Sequence, residues 1–353
     1  MPELDFDLPQ TTAYLRCELD RLDCEVFSPD GHAVCAWFDA GRDAAVAFRS
    51  DMDALPIMEK TGVSFASLHA GRMHACGHDG HMAMLLELAH VLHEVKSRLT
   101  KNVLLVFQPA EETTGGAKLV CESGVFENKH VEAIYGFHLW PDLPKGSVAS
   151  RAGALLARSS EVSLDFTGKS VHIARSEEGA DALLAAARFV TAADGFLDEL
   201  RRQEGPWCTL KFGRLEAGTV RNAVAAGARL EGSLRVFSES AFQKAKARLL
   251  SLCDEVGAPL GVRVRLTMSE GYPPVINDEG LFESARGRVP ELTVLEKPLL
   301  IAEDFAFYQQ RLPGLFMLLG TGTGIALHSD RFDFDETVLE AGVNVYRRLL
   351  PLD

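Results

Sequence analysis

The nonapeptide Met73-His-Ala-Cys-Gly-His-Asp-Gly-His81 packs three histidines, one cysteine and one aspartate into a short turn. Within it, Cys76 and His78 form a Cys-x-His pair. A thiolate and an imidazole two residues apart can reach one divalent cation or an adjacent pair of them. Three other segments carry matching donors. Gln108-Pro-Ala-Glu-Glu112 sets Glu111 and Glu112 side by side after an apolar run, a costly arrangement unless positive charge lies beside them. Gly136-Phe-His-Leu-Trp140 puts His138 inside a second apolar run. Gly324-Ile-Ala-Leu-His-Ser-Asp330 places His328 beyond a glycine-rich loop.

Taken singly, each donor has an ordinary structural alternative. His138 would be a hydrogen-bonded core histidine, His328 a turn cap, and Cys76 a small buried hydrophobe. Together, Cys76, His78, Glu112, His138 and His328 all fall at strand ends. Five ligands exceed what one tetrahedral ion needs, so two divalent ions sharing a bridging group is the natural count. Of two adjacent carboxylates, one can bind metal while its neighbour moves a proton. That pair suits amide hydrolysis by an activated water, without a covalent intermediate.

Positioning such donors requires a layered scaffold. Residues 45–51, 102–110 and 133–139 are short apolar runs of the kind that become central strands covered on both faces. Between the first two, residues 79–95 put Met82, Leu85, Leu86, Ala89 and Leu92 on one helical stripe. This alternation predicts an α/β fold, a doubly wound and mostly parallel sheet whose strand carboxyl ends carry the ligand site. After about Gly153 the texture changes to strand, helix, strand, strand, helix, strand over residues 161–269, the split pattern of a small α+β domain. The expected division is residues 1–156 with 267–353 as one domain, and residues 157–266 as an inserted one.

Bulk composition narrows the partners. At 353 residues the chain is longer than one hydrophobic core ordinarily supports. Thirty-six basic against 50 acidic residues give a net charge of −14, which argues against nucleic acid or an anionic membrane as partner. No apolar run approaches the ~20 residues of a membrane-spanning helix. Seven scattered cysteines read as thiols in a reducing cytoplasm.

The ordered motifs RSDMDALPI, MHACGHDGH, VFQPAEETTGGA, GFHLWPDLPKGSV, EDFAFYQQRLPGLF and ALHSDRFDFDE resemble the M20 family of metallopeptidases and amidohydrolases, in its aminoacylase-like branch. The resemblance spans nearly the whole chain. It implies that Cys76 bridges two divalent ions (zinc, manganese, cobalt or nickel), with His78, Glu112, His138 and His328 completing the shell and Glu111 as general base and acid. Asp51 and Asp53 stand where other branches carry a ligand histidine and its orienting acid, which implies supporting roles for them. The inserted domain resembles the family's lid and dimerisation domain. There His172 matches a residue that polarises the scissile carbonyl, while Asn222 and Arg235 match substrate-holding positions. The implied substrate is an N-acyl amino acid, N-acetyldiaminopimelate among the candidates, and the implied assembly a homodimer.

The lid departs from its relatives in two places. Asn222 is followed by Ala-Val-Ala-Ala-Gly instead of a proline and an acid, and residues 172–178 read HIARSEE where a proline is usual. Two other readings compete. A dipeptidase or carboxypeptidase would use the same ligands. A phosphate-binding protein would use the glycine-rich run at 319–326, but that run lacks the lysine of a P-loop.

Overall fold

The computed structural model describes all 353 residues, and the chain divides into two compact units. The first unit comprises Met1–Leu155, Ile276–Lys297 and Asp304–Asp353; the second comprises Leu156–Val275 and Pro298–Glu303. The observed division therefore differs from the expected one at residue 267. Residues 267–275 stay with the second unit because the Arg263–Met268 strand pairs along its length with Arg158–Thr167. Gly271 also passes so close to that strand that a Cβ would lie 1.8 Å from the Ser159 carbonyl oxygen. The 298–303 segment joins the same unit through the amide of Ala157, which donates to the carbonyls of Leu299 and Ile301.

In the first unit an eight-stranded sheet runs in the order Glu25–Phe27, Val34–Phe38, Asn102–Gln108, Ala45–Asp51, Val131–Trp140, Gly314–Gly320, Val148–Ser150, Thr293–Val294. The three central pairings are parallel, and antiparallel strands flank them on both sides. The fold is thus α/β with a mostly parallel core. Every residue of Ala45–Asp51 is buried, as a strand sheathed on both faces must be. The His78–Val95 helix buries Met82, Leu85, Ala89 and Leu92 of the expected stripe, while Leu86 is only half-buried at its edge. It also buries Met84, Leu88 and Val91, so its apolar face is wider than one stripe. Phe48 and Phe137 meet Tyr346 edge-on at 5.1 and 4.9 Å between ring centroids. Each such buried side chain contributes on the order of 1.5–3 kcal/mol relative to leaving it in water.

The second unit is a four-stranded antiparallel sheet in the order Arg263–Met268, Arg158–Thr167, Gly227–Val236, Thr209–Ala217. Its two helices, Ala182–Glu204 and Glu239–Gly257, begin at side-chain caps: Asp181 accepts from the amide of Leu184, and Ser238 from that of Ala241. Along Arg158–Thr167, buried positions such as Val162, Leu164 and Phe166 alternate with wetter ones, so one sheet face packs on the helices. The other face carries a ladder of ion pairs from Arg265 through Asp165, Arg229, Glu231 and Arg214 to Glu216.

Candidate metal centre

Three of the segments that carry the donors use left-handed backbone at or next to a donor. Gly77 has φ +82°, and a Cβ on it would lie 2.8 Å from Leu139 Cδ1. Glycine is needed there to swing the chain from Cys76 into the helix that opens with His78. Ala110 (φ 57°) precedes the two glutamates, and His328 itself has φ 65°. Non-glycine residues in this region are strained and cluster at functional sites. The turns are pinned together: the amide of His328 donates to the Ala75 carbonyl at 2.8 Å. The carboxylate of Asp53 accepts the amides of Glu111 (3.0 Å) and Glu112 (3.1 Å).

Cys76, His78, Glu112, His138 and His328 come together in the first unit. Cys76 belongs to two donor triads at once, one with His78 and His138, the other with Glu112 and His328; within each, all ligand atoms lie within 4.8 Å of one another. Cys76 Sγ is 3.3 Å from His138 Nε2. The other nitrogen of His138 lies 2.6 Å from the Leu139 carbonyl oxygen. A carbonyl only accepts, so Nδ1 carries the proton and Nε2 presents its lone pair.

His78 gives the sharpest test of whether a cation fits. Its ring is fully buried, yet neither nitrogen makes a hydrogen bond, and Glu112 Oε1 is likewise buried without one. Buried polar atoms are ordinarily paired, so three orphans in one cluster call for a missing partner. His78 Nε2 is 3.9 Å from Glu112 Oε1. That is too long for a hydrogen bond. His328 Nε2 approaches the same Glu112 oxygen at 3.2 Å. The donor set of thiol, imidazoles and carboxylates suits zinc or a neighbouring divalent ion.

The electrostatics match a site built for positive charge. Burial alone would push the His78 pKa down, but Asp51, Asp53 and Glu112 outweigh it and raise it to about 10. For Asp51, burial works upward, and His78, His81 and Arg49 pull its carboxyl well below the usual range. Burial, reinforced by Glu112 and Glu111, holds the Cys76 thiol well above its ordinary value. Without a cation, the protons stay on His78 and on the Cys76 thiol.

His81, the third histidine of the nonapeptide, is a supporting residue that sequence reasoning left unassigned. Its Nε2 accepts the Leu139 amide at 2.9 Å, so Nδ1 carries the proton and donates to Asp51 Oδ1 at 2.7 Å. Burial lowers its pKa to about 3, against the pull of Asp51. The available signal was its spacing: three residues beyond His78, it shares a helix face with it.

His172, Asn222 and Arg235 lie in the second unit. His172 and Asn222 sit on adjoining backbone, where the Ile173 amide donates to the Asn222 carbonyl at 3.1 Å and His172 bridges to Ala223. His172 is exposed, and its Nδ1 accepts the Ala174 amide at 3.2 Å. Arg235 is half-buried on the Gly227–Val236 strand, with its pKa lowered by desolvation.

A cluster of thiol, imidazole and carboxylate donors on an α/β sheet is a candidate metal site, and the comparisons with known proteins define the class, that of hydrolases acting on amide bonds. More particularly, the chain belongs to peptidase family M20/M25/M40, whose model matches residues 47–351. It is 34% identical over 358 residues to the N-acetyldiaminopimelate deacetylase of Lacticaseibacillus paracasei, covering 97% of this chain and 92% of the relative. Among solved structures it is similar to a protein assigned as an aminohydrolase from methicillin-resistant Staphylococcus aureus, with TM-score 0.90 and 30% identity over 99% of this chain and 92% of that one. It is also similar to a dinuclear metal-binding peptidase of family M20 from Bacillus subtilis, with TM-score 0.83 and 30% identity over 99% and 93% of the two chains.

Proposed function

We propose that this chain is a two-metal deacylase that cleaves an N-acyl amino acid, with N-acetyldiaminopimelate as its substrate, to a carboxylic acid and the free amino acid. The observation that carries the reading is the membership of Cys76 in both donor triads. His78 and His138 would hold one ion with Cys76, and Glu112 and His328 the other. When bound, such ions supply Lewis acidity that polarises the scissile carbonyl and lowers the pKa of water.

The rest of the chemistry falls to side chains. Glu111 takes a proton from the attacking water and returns it to the leaving nitrogen. Its carboxylate lies within 4.8 Å of the ligand atoms of Glu112 and His78, beside the site, and Asp53 holds both glutamates by their amides. Asp51 and Asp53 flank His78 Nδ1 at 3.8 and 3.7 Å and orient the ring. We assign His172 to the oxyanion, Asn222 to the acyl amide and Arg235 to the substrate carboxylate, for which a planar guanidinium is suited. These three assignments rest on the family match.

The substrate reading is supported by the names of relatives such as the Lacticaseibacillus enzyme. We place the protein in the cytoplasm as a homodimer formed through the second unit. Seven free cysteines support a reducing compartment, and no helix is long and apolar enough to cross a membrane.

The test is Glu111→Gln, assayed on N-acetyldiaminopimelate beside a panel of N-acetyl amino acids and dipeptides. Metal content should stay at two ions per chain while turnover drops by about two to four orders of magnitude. Unchanged turnover defeats the mechanism, and a preference for dipeptides moves the enzyme to the dipeptidase reading.

A further inference from the structure

Behind the donor cluster lies a buried charge that the reaction scheme leaves unused. Arg49, inside the Ala45–Asp51 strand, is among the largest fully buried side chains of the protein. Its guanidinium is spent in three directions. Nη1 donates to Asp51 Oδ2 at 2.8 Å, Nη2 to Asp304 Oδ1 at 2.7 Å, and Nε to Gln108 Oε1 at 2.8 Å. Each acceptor leads to a different part of the site. The second oxygen of Asp51 accepts from His81 and lies 3.8 Å from His78 Nδ1. The amide of Asp304 approaches Glu111 Oε1 at 3.4 Å, and its second carboxylate oxygen accepts from Gln108 Nε2 at 2.7 Å and the Ala117 amide at 3.0 Å. Gln108, also bonded by Tyr308 Oη at 2.8 Å, ends the strand that delivers Glu111.

We propose that Arg49 is a positioning residue that ties the metal-holding half of the site, through Asp51, to the proton-moving half, through Asp304. The proposal rests on the two-ion reading of the site. Two buried carboxylates so close to further acids need a fixed cation between them, and only a guanidinium offers a planar fork with donors facing both. Lysine keeps the charge but has no fork, so it can serve one carboxylate at a time.

The experiment compares Arg49→Lys, Asp51→Asn and Asp304→Asn in the full chain. The metal-free protein is titrated with Zn²⁺ against a chromophoric chelator, and with Co²⁺ for its thiolate-to-metal absorption. Turnover is then measured on the loaded protein, with near-ultraviolet circular dichroism to verify folding. Asp51→Asn should raise the Zn²⁺ dissociation constant about 10- to 100-fold, as loss of an outer-shell partner does. Asp304→Asn should lower kcat about 10- to 100-fold by letting Glu111 drift, with KM and the dissociation constant within about twofold of the parent. Arg49→Lys should show both effects.

Arg49→Lys with parental kcat and metal affinity overturns the proposal, as does Asp304→Asn weakening Zn²⁺ as strongly as Asp51→Asn. If Arg49→Lys does not fold, the separation of the two acid variants still decides. Failure of the two-ion reading is seen separately, in the parent protein, as binding of fewer than two Zn²⁺ or absence of the thiolate–cobalt band.

Discussion

Cys76 Sγ lies 3.3 Å from His138 Nε2, although 62 residues separate them. The thiol belongs to the turn before a helix and the imidazole to a central strand, and Cys76 at the same time faces Glu112 and His328. Because both triads share this one sulfur, Cys76→Ser should disturb both ions, whereas His328→Ala should disturb only the triad with Glu112. Elemental analysis after dialysis is expected to show close to two ions in the parent, about one in His328→Ala and fewer than one in Cys76→Ser, with activity of the cysteine variant down by at least about 100-fold.

The Gly77 turn should tolerate no side chain. Its φ of +82° and the 2.8 Å approach of Leu139 to a built Cβ act together. Gly77→Ala is expected to cost about 1–2 kcal/mol for the left-handed backbone and to shift His78. Ala110→Gly, at φ 57°, relieves the same left-handed strain and should not lower the melting temperature. Thermal unfolding of the two variants, with Zn²⁺ affinity for the first, checks both.

The pH dependence of the metal-free protein has a definite sign. The folded pKa of His78 is about 10, against an ordinary value near 6.5. Between those values the native state holds a proton that the unfolded state has lost, so stability contributed by His78 is complete below pH 6.5 and drains away as pH rises toward 10. The raised Cys76 thiol acts in the same direction at the alkaline end. His81, held neutral with a pKa of about 3, acts the opposite way and only below pH 6.5. The melting temperature of chelator-treated protein should therefore fall between pH 6.5 and 10. That decline should vanish in the loaded protein, where a cation replaces the proton, and Zn²⁺ affinity should rise with pH across the same window.

Removing the metal should cost stability by itself. Chelation leaves His78 and Glu112 with buried atoms lacking hydrogen bonds among several acids. A scan with and without chelator is expected to show a lower melting temperature in the metal-free form, restored by stoichiometric Zn²⁺ or Mn²⁺ and increasing with free metal as linkage requires.

The helix caps of the second unit are remote from this chemistry in sequence and in their bonding. Ser238→Ala removes the acceptor for the Ala241 amide and should destabilise by about 1 kcal/mol. Metal content should be unchanged, and a loss of bound metal in this variant would contradict the placement of the site in the first unit.

The elements legible in the sequence were those whose burial pattern repeats. Ala45–Asp51, Asn102–Gln108 and Val131–Trp140 carry apolar runs because parallel strands are covered on both faces. The flanking strands Glu25–Phe27 and Val148–Ser150 are three residues long, too short for any periodicity to register. The final helix begins at Val338, just after Asp335 turns back to accept the Thr337 amide and pair with Lys145.

By itself the sequence determined the donor types, the parallel core that presents them at strand ends, and the family. These follow from local composition and from motifs whose spacing survives without coordinates. Only the tertiary structure decided which donors come within reach of one another, because Cys76, Glu112 and His328 meet through turns whose left-handed residues no periodic pattern reveals. It alone showed the buried cation at Arg49 as well, since a charged residue in an apolar strand reads as an exception until the carboxylates from residues 51 and 304 are seen on either side of it.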